Sequence, residues 1–470
     1  MRWTPLATCL AVLALAGCDR PSAITDPPLD PELDADLRQA LSQYGVLPIG
    51  LVPAQDPALV ALGQALLFDK ILSGNRDVSC ATCHHPRSHG ADGLSLAIGT
   101  GGSGQGASRA LGAGREFVPR NAPSLLNQGL RSVYVLWDGR VSGHGAGPFQ
   151  PPPGVTLPTG LPNILAAQAM LPVLDRREMR GDPGDLDVFG NRNELAELAD
   201  LQHAEIWDAI MTRLLDIPEY VTMFRAAFPG VPISGLEFGH ATAAIAAFIT
   251  AGFTKVQSPF DRYLAGDDAA LTAAAKRGGL LFFGARTAAS PAVAAPSVAP
   301  TACSSCHGGP LLGGQSFANV GVPQIGPGVG NEPPLDLGRA AIIDARHRDA
   351  YRFAFRAPPL RNVELTAPYT HSGAYATLEA VVRHYDDVAK ALRTYDASQL
   401  TPALRGRVHT DEATIEDLLL RLDSRVRQPL QLTEADIDDL VAFLRALTDP
   451  AARNLSALVP GRVPSGLPLD

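Results

Sequence analysis

Apolar residues recur at helical spacing along most of the chain. After Pro57, the residues Leu59, Leu62, Leu66 and Leu67 fall on one side of an amphipathic helix. Similar spacing predicts helices at 33–44, 164–170, 194–215, 218–228, 236–253, 267–283, 376–385 and 434–447. The 236–253 segment is apolar almost throughout from Ala241 to Phe253. It is shorter than the roughly 20 residues that cross a bilayer, so it reads as a core helix. Alternating strand patterns are scarce, and the pattern predicts a mainly α chain.

The breaks in this pattern divide the chain. Residues 98–114 carry Gly99, Gly101, Gly102, Gly104 and Gly106 and read as a loop. A Pro- and Gly-rich segment, 141–162, has neither helix nor strand character, and an Ala/Pro/Ser linker occupies 287–302. Each half of the chain then runs in the same order: helix, short cysteine motif, loop, helix. The order predicts a duplicated module, with domains at 56–255 and 256–450, a tether at 18–55 and a tail at 451–470.

The two cysteine motifs are Cys80-Ala81-Thr82-Cys83-His84 and Cys303-Ser304-Ser305-Cys306-His307. C-x-x-C-H is the attachment signature of a c-type haem: the thiols add to the vinyl groups and the histidine reaches the iron. A zinc site built from the four cysteines would leave the trailing His84 and His307 without a reason. Two covalent c-type haems are therefore expected. The aromatic content is only 6%, and a bulky prosthetic group can supply apolar core in place of aromatic side chains.

The other two of the six cysteines are Cys9 and Cys18, so none remains for a structural disulfide. Met1-Arg2 precedes an apolar run from Leu6 to Leu15, as in an export signal. Leu15-Ala16-Gly17-Cys18 is similar to a bacterial lipobox. It predicts a lipoprotein signal at 1–17 and a periplasmic protein anchored to the membrane by lipid at Cys18; the alternative is an ordinary signal cleaved nearby. A net charge of −9 argues against a nucleic-acid partner.

With both motifs placed, the chain resembles the bacterial dihaem cytochrome c peroxidase and MauG family over residues 56–450. The resemblance rests on the first motif with Ser79, on Pro119-Arg120-Asn121-Ala122-Pro123-Ser124-Leu125 and on Trp137-Asp138-Gly139-Arg140. It rests further on Pro259-Phe260-Asp261-Arg262-Tyr263-Leu264 and on the stretch from Leu360 to Tyr369. It implies two cytochrome c-like helical domains, a peroxidatic haem in the first and an electron-transfer haem in the second.

The resemblance also assigns site residues. Glu178 matches the acid/base of the peroxide pocket, Gln168 the orienting amide and Pro172 the residue crowding the open face. Alone, Glu178 would read as a solvated charge among Asp175, Arg176, Arg177 and Arg180. Trp137 matches the tryptophan that relays electrons between haems. Asn121, Thr366 and Pro368 match calcium ligands, and oxygen-only ligation suits that ion. His371 reads as structural. No histidine occurs between Gly90 and Trp137, and His85 and His89 have short tethers, so the first haem is expected to be open.

For the second haem, methionine is the usual ligand, but none of the five methionines lies in the second half. The matching position is Tyr385, on one apolar face with Leu378, Val381 and Val382. His384, rotated roughly 100° away, is the rival. A merely packed tyrosine beside an open iron is the third possibility. Two departures stand out: an insertion at 141–164 containing His144, suited to a lid or partner surface, and Thr301, where the MauG branch has a surface tryptophan.

These residues imply a peroxidase that reduces hydrogen peroxide with electrons from a periplasmic donor such as a small c-type cytochrome or a cupredoxin. The alternatives are a MauG-like oxidase acting on a protein or small-molecule substrate, and a dihaem electron carrier without catalysis.

Overall fold

The computed structural model describes residues 1, 31–131, 133–143, 148–284 and 303–470. The expected export signal beyond Met1, Cys18, His144, Thr301 and the 287–302 linker lie outside them.

The chain is mainly helical, and the strands among the described residues are two residues long. Two helical cores dominate, and each is built on a close helix crossing. In the first, Pro57–Phe68 lies against Phe238–Phe253. A Cβ on Gly63 would stand 1.9 Å from the Ala244 carbonyl oxygen, so only glycine permits the approach. In the second, Ala273–Phe282 lies against Glu434–Ala446, and a Cβ on Gly278 would stand 1.9 Å from the Asp439 carbonyl oxygen. In both halves the crossing joins the helix before the cysteine motif to the helix that closes the module. This is the duplicated, cytochrome c-like arrangement.

Several boundaries differ from the hydrophobic pattern. The 194–215 helix is two, Glu194–Glu197 and His203–Leu215. At the break, the Ala196 carbonyl accepts from Arg176 and the Leu198 carbonyl from Arg176 and Arg180 instead of continuing a helical ladder. The 267–283 helix begins only at Ala273, where the Thr272 hydroxyl accepts from Ala275 N. The 141–164 insertion is not free of strand. Val141–Ser142 pairs antiparallel with Tyr134–Val135, and Phe149 is buried in the first core.

The expected tether and tail are not loose either. Pro31–Gln43 buries Leu33, Leu37, Ala40 and Leu41 in the second core, and Asp34 pairs with the buried Lys276 at 2.7 Å. Residues 451–470 return to the first core, where Ala452, Leu455, Val463 and Leu467 are buried. Asp470 then binds Lys70 at 2.8 Å and Ser79 Oγ at 2.9 Å, and accepts from Thr82 Oγ1, pinning the first motif.

The domains meet through buried charge. Arg120 donates to Asp336 in the second half at 2.7 and 2.8 Å and to Asp138 at 2.6 Å. Leu94, Leu96, Ile98 and Phe117, from the first half, belong to the second core. No helix among the described residues is long and apolar enough to cross a membrane.

Candidate functional site

Both cysteine motifs form short helical turns that turn out a thiol pair and a histidine. Cys80–Cys83 is one α-turn, with Thr82 Oγ1 accepting from Ser79 N at 2.8 Å. Cys303–Ser305 is a 3-10 turn. The four thiols are unpaired and half-buried, and burial pushes Cys80 up to about 12 and Cys303 up to about 11. Such protonated thiols are not preset as zinc thiolates. Among the described residues no group of three or more His, Cys, Asp or Glu could hold a metal ion.

Each trailing histidine is fixed through one nitrogen. His84 Nδ1 lies 3.0 Å from the Gly90 carbonyl; His307 Nδ1 lies 3.0 Å from that of Pro358 and 3.3 Å from that of Leu312. A carbonyl can only accept, so Nδ1 carries the hydrogen and Nε2 keeps its lone pair, the tautomer of an axial iron ligand. Burial lowers both imidazoles from the ordinary histidine range, keeping them neutral.

A large cavity opens beside the second motif. Cys303, Cys306 and His307 line it together with Tyr385, Trp137, Asn121, Thr366 and Pro368, and no methionine does. Arg131, Arg356 and Arg361 also line it, and Arg131 Nε, Arg356 Nη1 and Arg361 Nη2 are buried donors without a hydrogen-bond partner among the described residues. Unmet cationic donors in an apolar cavity are the complement of a group that carries carboxylates, as haem does. None of the three arginines was expected from the sequence.

Around the cavity, two histidines are already engaged. His384 is 1% exposed, and its Nδ1 and Nε2 each lie 2.8 Å from a partner, the Tyr375 hydroxyl and the Val320 carbonyl. Neither nitrogen is left for an iron. Tyr385, the next residue, faces the cavity, and burial near Cys306 and Cys303 raises its phenol above the usual range. His371 stacks on Phe355 with centroids 3.4 Å apart, a structural placement. Trp137 Nε1 donates to the Asn121 carbonyl at 2.9 Å.

The first motif faces a different environment. Asp175 accepts from Arg177 N at 2.8 Å and from Glu178 N at 3.2 Å, and so opens a single π-helical turn, Arg176–Arg180. Two glycines hold this turn by close approach. A Cβ on Gly74 would be 1.9 Å from the Arg180 carbonyl oxygen, and one on Gly99 would be 2.1 Å from that of Arg177.

The arginines flanking Glu178 pair with other carboxylates. Arg176 and Arg180 both bind Asp200, and Arg177 lies 3.6 Å from Asp175. The half-buried Glu178 carboxylate accepts no hydrogen bond among the described residues. Desolvation, then Asp175, pushes it up to about 8 against the pull of Arg140 and Arg177. It lies close enough to Cys80 and Cys83 to raise both thiols. Gln168 lies in the last turn of the helix Ile164–Ala169, half-buried, with its side-chain amide unbonded among the described residues. Pro172 begins the turn that leads to Asp175.

His85 and His89 are each held through Nδ1, and His85 Nε2 is buried without a hydrogen-bond partner among the described residues. His89 Nδ1 lies 3.0 Å from the Ala452 carbonyl, and His85 Nδ1 accepts from Arg87 N.

With this geometry in hand, comparison with known proteins becomes specific. The model of the di-haem cytochrome c peroxidase family matches residues 57–269. The cytochrome c551 peroxidase of Pseudomonas aeruginosa is 32% identical over 323 residues, 68% of this chain and 69% of that protein. The chain belongs to the di-haem cytochrome c peroxidase family. Within it, the methylamine utilization protein MauG of Methylorubrum extorquens is 29% identical over 403 residues, covering 86% of this chain and 82% of the relative. A solved structure of a MauG-like protein associated with microbial copper homeostasis superposes with a TM-score of 0.55 at 25% identity. It covers 89% of this chain and 97% of that one. This di-haem protein is thus a peroxidase-type oxidoreductase with two c-type haems.

Proposed function

We propose that the protein reduces hydrogen peroxide at an open first haem and draws the electrons through the second. When bound, the two haems supply the redox-active irons at which peroxide is cleaved and between which electrons are shared. Cys80, Cys83 and His84 would hold the first, and Cys303, Cys306, His307 and Tyr385 the second. The observation that carries the reading is Glu178, an unpaired carboxyl of raised pKa beside the first motif.

Glu178 accepts the proton of the near peroxide oxygen and returns it to the far one, the shuttle that O–O heterolysis requires. Gln168 presents its unbonded amide to orient the peroxide, and Pro172 narrows the open face. Trp137, on the wall of the second cavity, is the electron relay. A tyrosinate at Tyr385 favours oxidised iron, where methionine would raise the potential. Asn121, Thr366 and Pro368 all line the same cavity and offer oxygen donors of the kind calcium takes. The protein works in the periplasm, with Cys18 as lipid anchor, and a small c-type cytochrome or cupredoxin is the donor.

A MauG-like, peroxide-dependent oxidase is the second reading. The engaged nitrogens of His384 and the cavity's lack of methionine favour it, since both leave Tyr385 as the second haem's ligand. One equivalent of peroxide added to the fully oxidised protein, followed by absorption and EPR, tests both readings. Immediate loss of a five-coordinate high-spin signal supports the open haem. A reaction only after one-electron reduction restores an ordinary capped peroxidase. No reaction in either state leaves an electron carrier.

A further inference from the structure

Four rings lead outward from the second cavity. Tyr385 lines it, the His384 ring lies 5.6 Å from that of Tyr385, the Tyr375 ring 5.1 Å further, and the Tyr395 ring another 5.7 Å. Tyr375 and His384 are buried, whereas Tyr395 is half-buried at the outer end. Such spacings put neighbouring rings in contact, so an electron can move along them without crossing a gap.

Hydrogen bonding singles out one member. The Val320 carbonyl, 2.8 Å from His384 Nε2, can only accept, so Nε2 carries the imidazole hydrogen. Nδ1 is then a bare lone pair, and the Tyr375 hydroxyl 2.8 Å away is its donor. Removing an electron from a phenol makes it a strong acid, and here the Nδ1 lone pair already accepts the hydroxyl hydrogen along a 2.8 Å hydrogen bond. Tyr395 differs: its hydroxyl donates to the Ala374 carbonyl, which cannot take up a proton. The hydrogen-bonded pair is the site where a hole along this row would settle.

Resting on the peroxide reading above, we propose that Tyr375 and His384 form a redox-active pair that draws oxidising equivalents off the second haem. One electron passes from Tyr375 by way of the Tyr385 ring to the haem oxidised by peroxide. The phenolic proton moves to His384 Nδ1, leaving a neutral tyrosyl radical and an imidazolium. A one-electron reductant of phenol type, arriving at the Tyr395 end, returns the electron, and the proton goes back to the phenol oxygen. A redox role of this kind needs no surface tryptophan.

The test is rapid-freeze EPR of the holoprotein after one equivalent of hydrogen peroxide, with ring-deuterated tyrosine and with the variants Tyr375→Phe and Tyr395→Phe. The expected result is a radical signal that narrows on deuteration, disappears in Tyr375→Phe and persists in Tyr395→Phe, while haem oxidation lasts longer in Tyr375→Phe. A tyrosyl signal that survives Tyr375→Phe overturns the proposal. Haem absorption in the same samples reports separately whether peroxide reacts. If the haems stay silent, the peroxide reading falls, and a photogenerated ruthenium(III) oxidant replaces peroxide. A Tyr375-dependent radical then still upholds the pair, and its absence overturns it.

Discussion

Replacing Glu178 with Gln separates catalysis from packing at the first haem. The side chain keeps its size and polarity but can no longer accept and return a proton. A positioned acid/base contributes about 10²- to 10⁴-fold, equivalent to about 2.7–5.5 kcal/mol of barrier at 1.36 kcal/mol per decade. The second-order rate of peroxide with the oxidised protein, followed by stopped flow, should fall by that factor. The pH dependence carries a sign. Desolvation and Asp175 push the carboxyl up to about 8, and the carboxylate is the proton acceptor. The wild-type rate should therefore climb through about pH 8 and level above it, whereas the variant should show no such limb. Stability moves the other way. Between the ordinary carboxylate range and about 8, the native state holds a proton that the unfolded state has lost. Stability contributed by this group thus declines as pH rises through that window. Glu178→Gln removes the decline, so the slower enzyme should melt higher than wild type at alkaline pH. A variant within about threefold of the wild-type rate, with the pH limb intact, would refute the assignment.

Asp175→Asn keeps the turn's cap but removes the carboxylate that raises Glu178; the rate limb should move to lower pH in the same stopped-flow assay. Tyr385→Phe should leave the second iron without its oxygen ligand and raise that haem's reduction potential, read by spectroelectrochemistry and EPR. Asp336→Asn strips the charge that Arg120 meets across the domain boundary. It should cost about 3 kcal/mol in urea unfolding, because a buried guanidinium is left partly uncompensated.

The helices and both haem turns were legible because their signals are local. Helical spacing, C-x-x-C-H and the glycines near the motifs each report on a few neighbouring residues. What escaped was set by distant partners. Residues 31–43 and 451–470 flank the two modules and read as tether and tail. Yet the first is anchored by Lys276 on Asp34, and the second carries Asp470 to Lys70, Ser79 and Thr82. Arg131, Arg356 and Arg361 are scattered in sequence, and only the fold gathers them on one cavity. The ambiguity between Tyr385 and His384 was likewise beyond periodicity. The Val320 carbonyl and the Tyr375 hydroxyl, far from each other in sequence, occupy the histidine.

The tetrapeptide Trp137-Asp138-Gly139-Arg140 shows how the two sites share one local structure. Trp137 stands on the wall of the second cavity, and its backbone carbonyl accepts from Arg356 N at 2.7 Å. Asp138 is fully buried and binds both Arg120 and Arg140, which hold its carboxyl below the usual range. Through Arg120 it is linked to Asp336 in the other domain, and Arg140 in turn pulls the Glu178 carboxyl downward. Gly139 has φ +66°, and a Cβ there would stand 2.5 Å from the Phe317 ring, so the turn admits only glycine. A displacement of this turn would disturb the tryptophan at one cavity and the field on the carboxyl at the other together. The residue proposed to relay electrons and the arginine that acts on the proposed proton carrier are therefore both tied to the same buried aspartate.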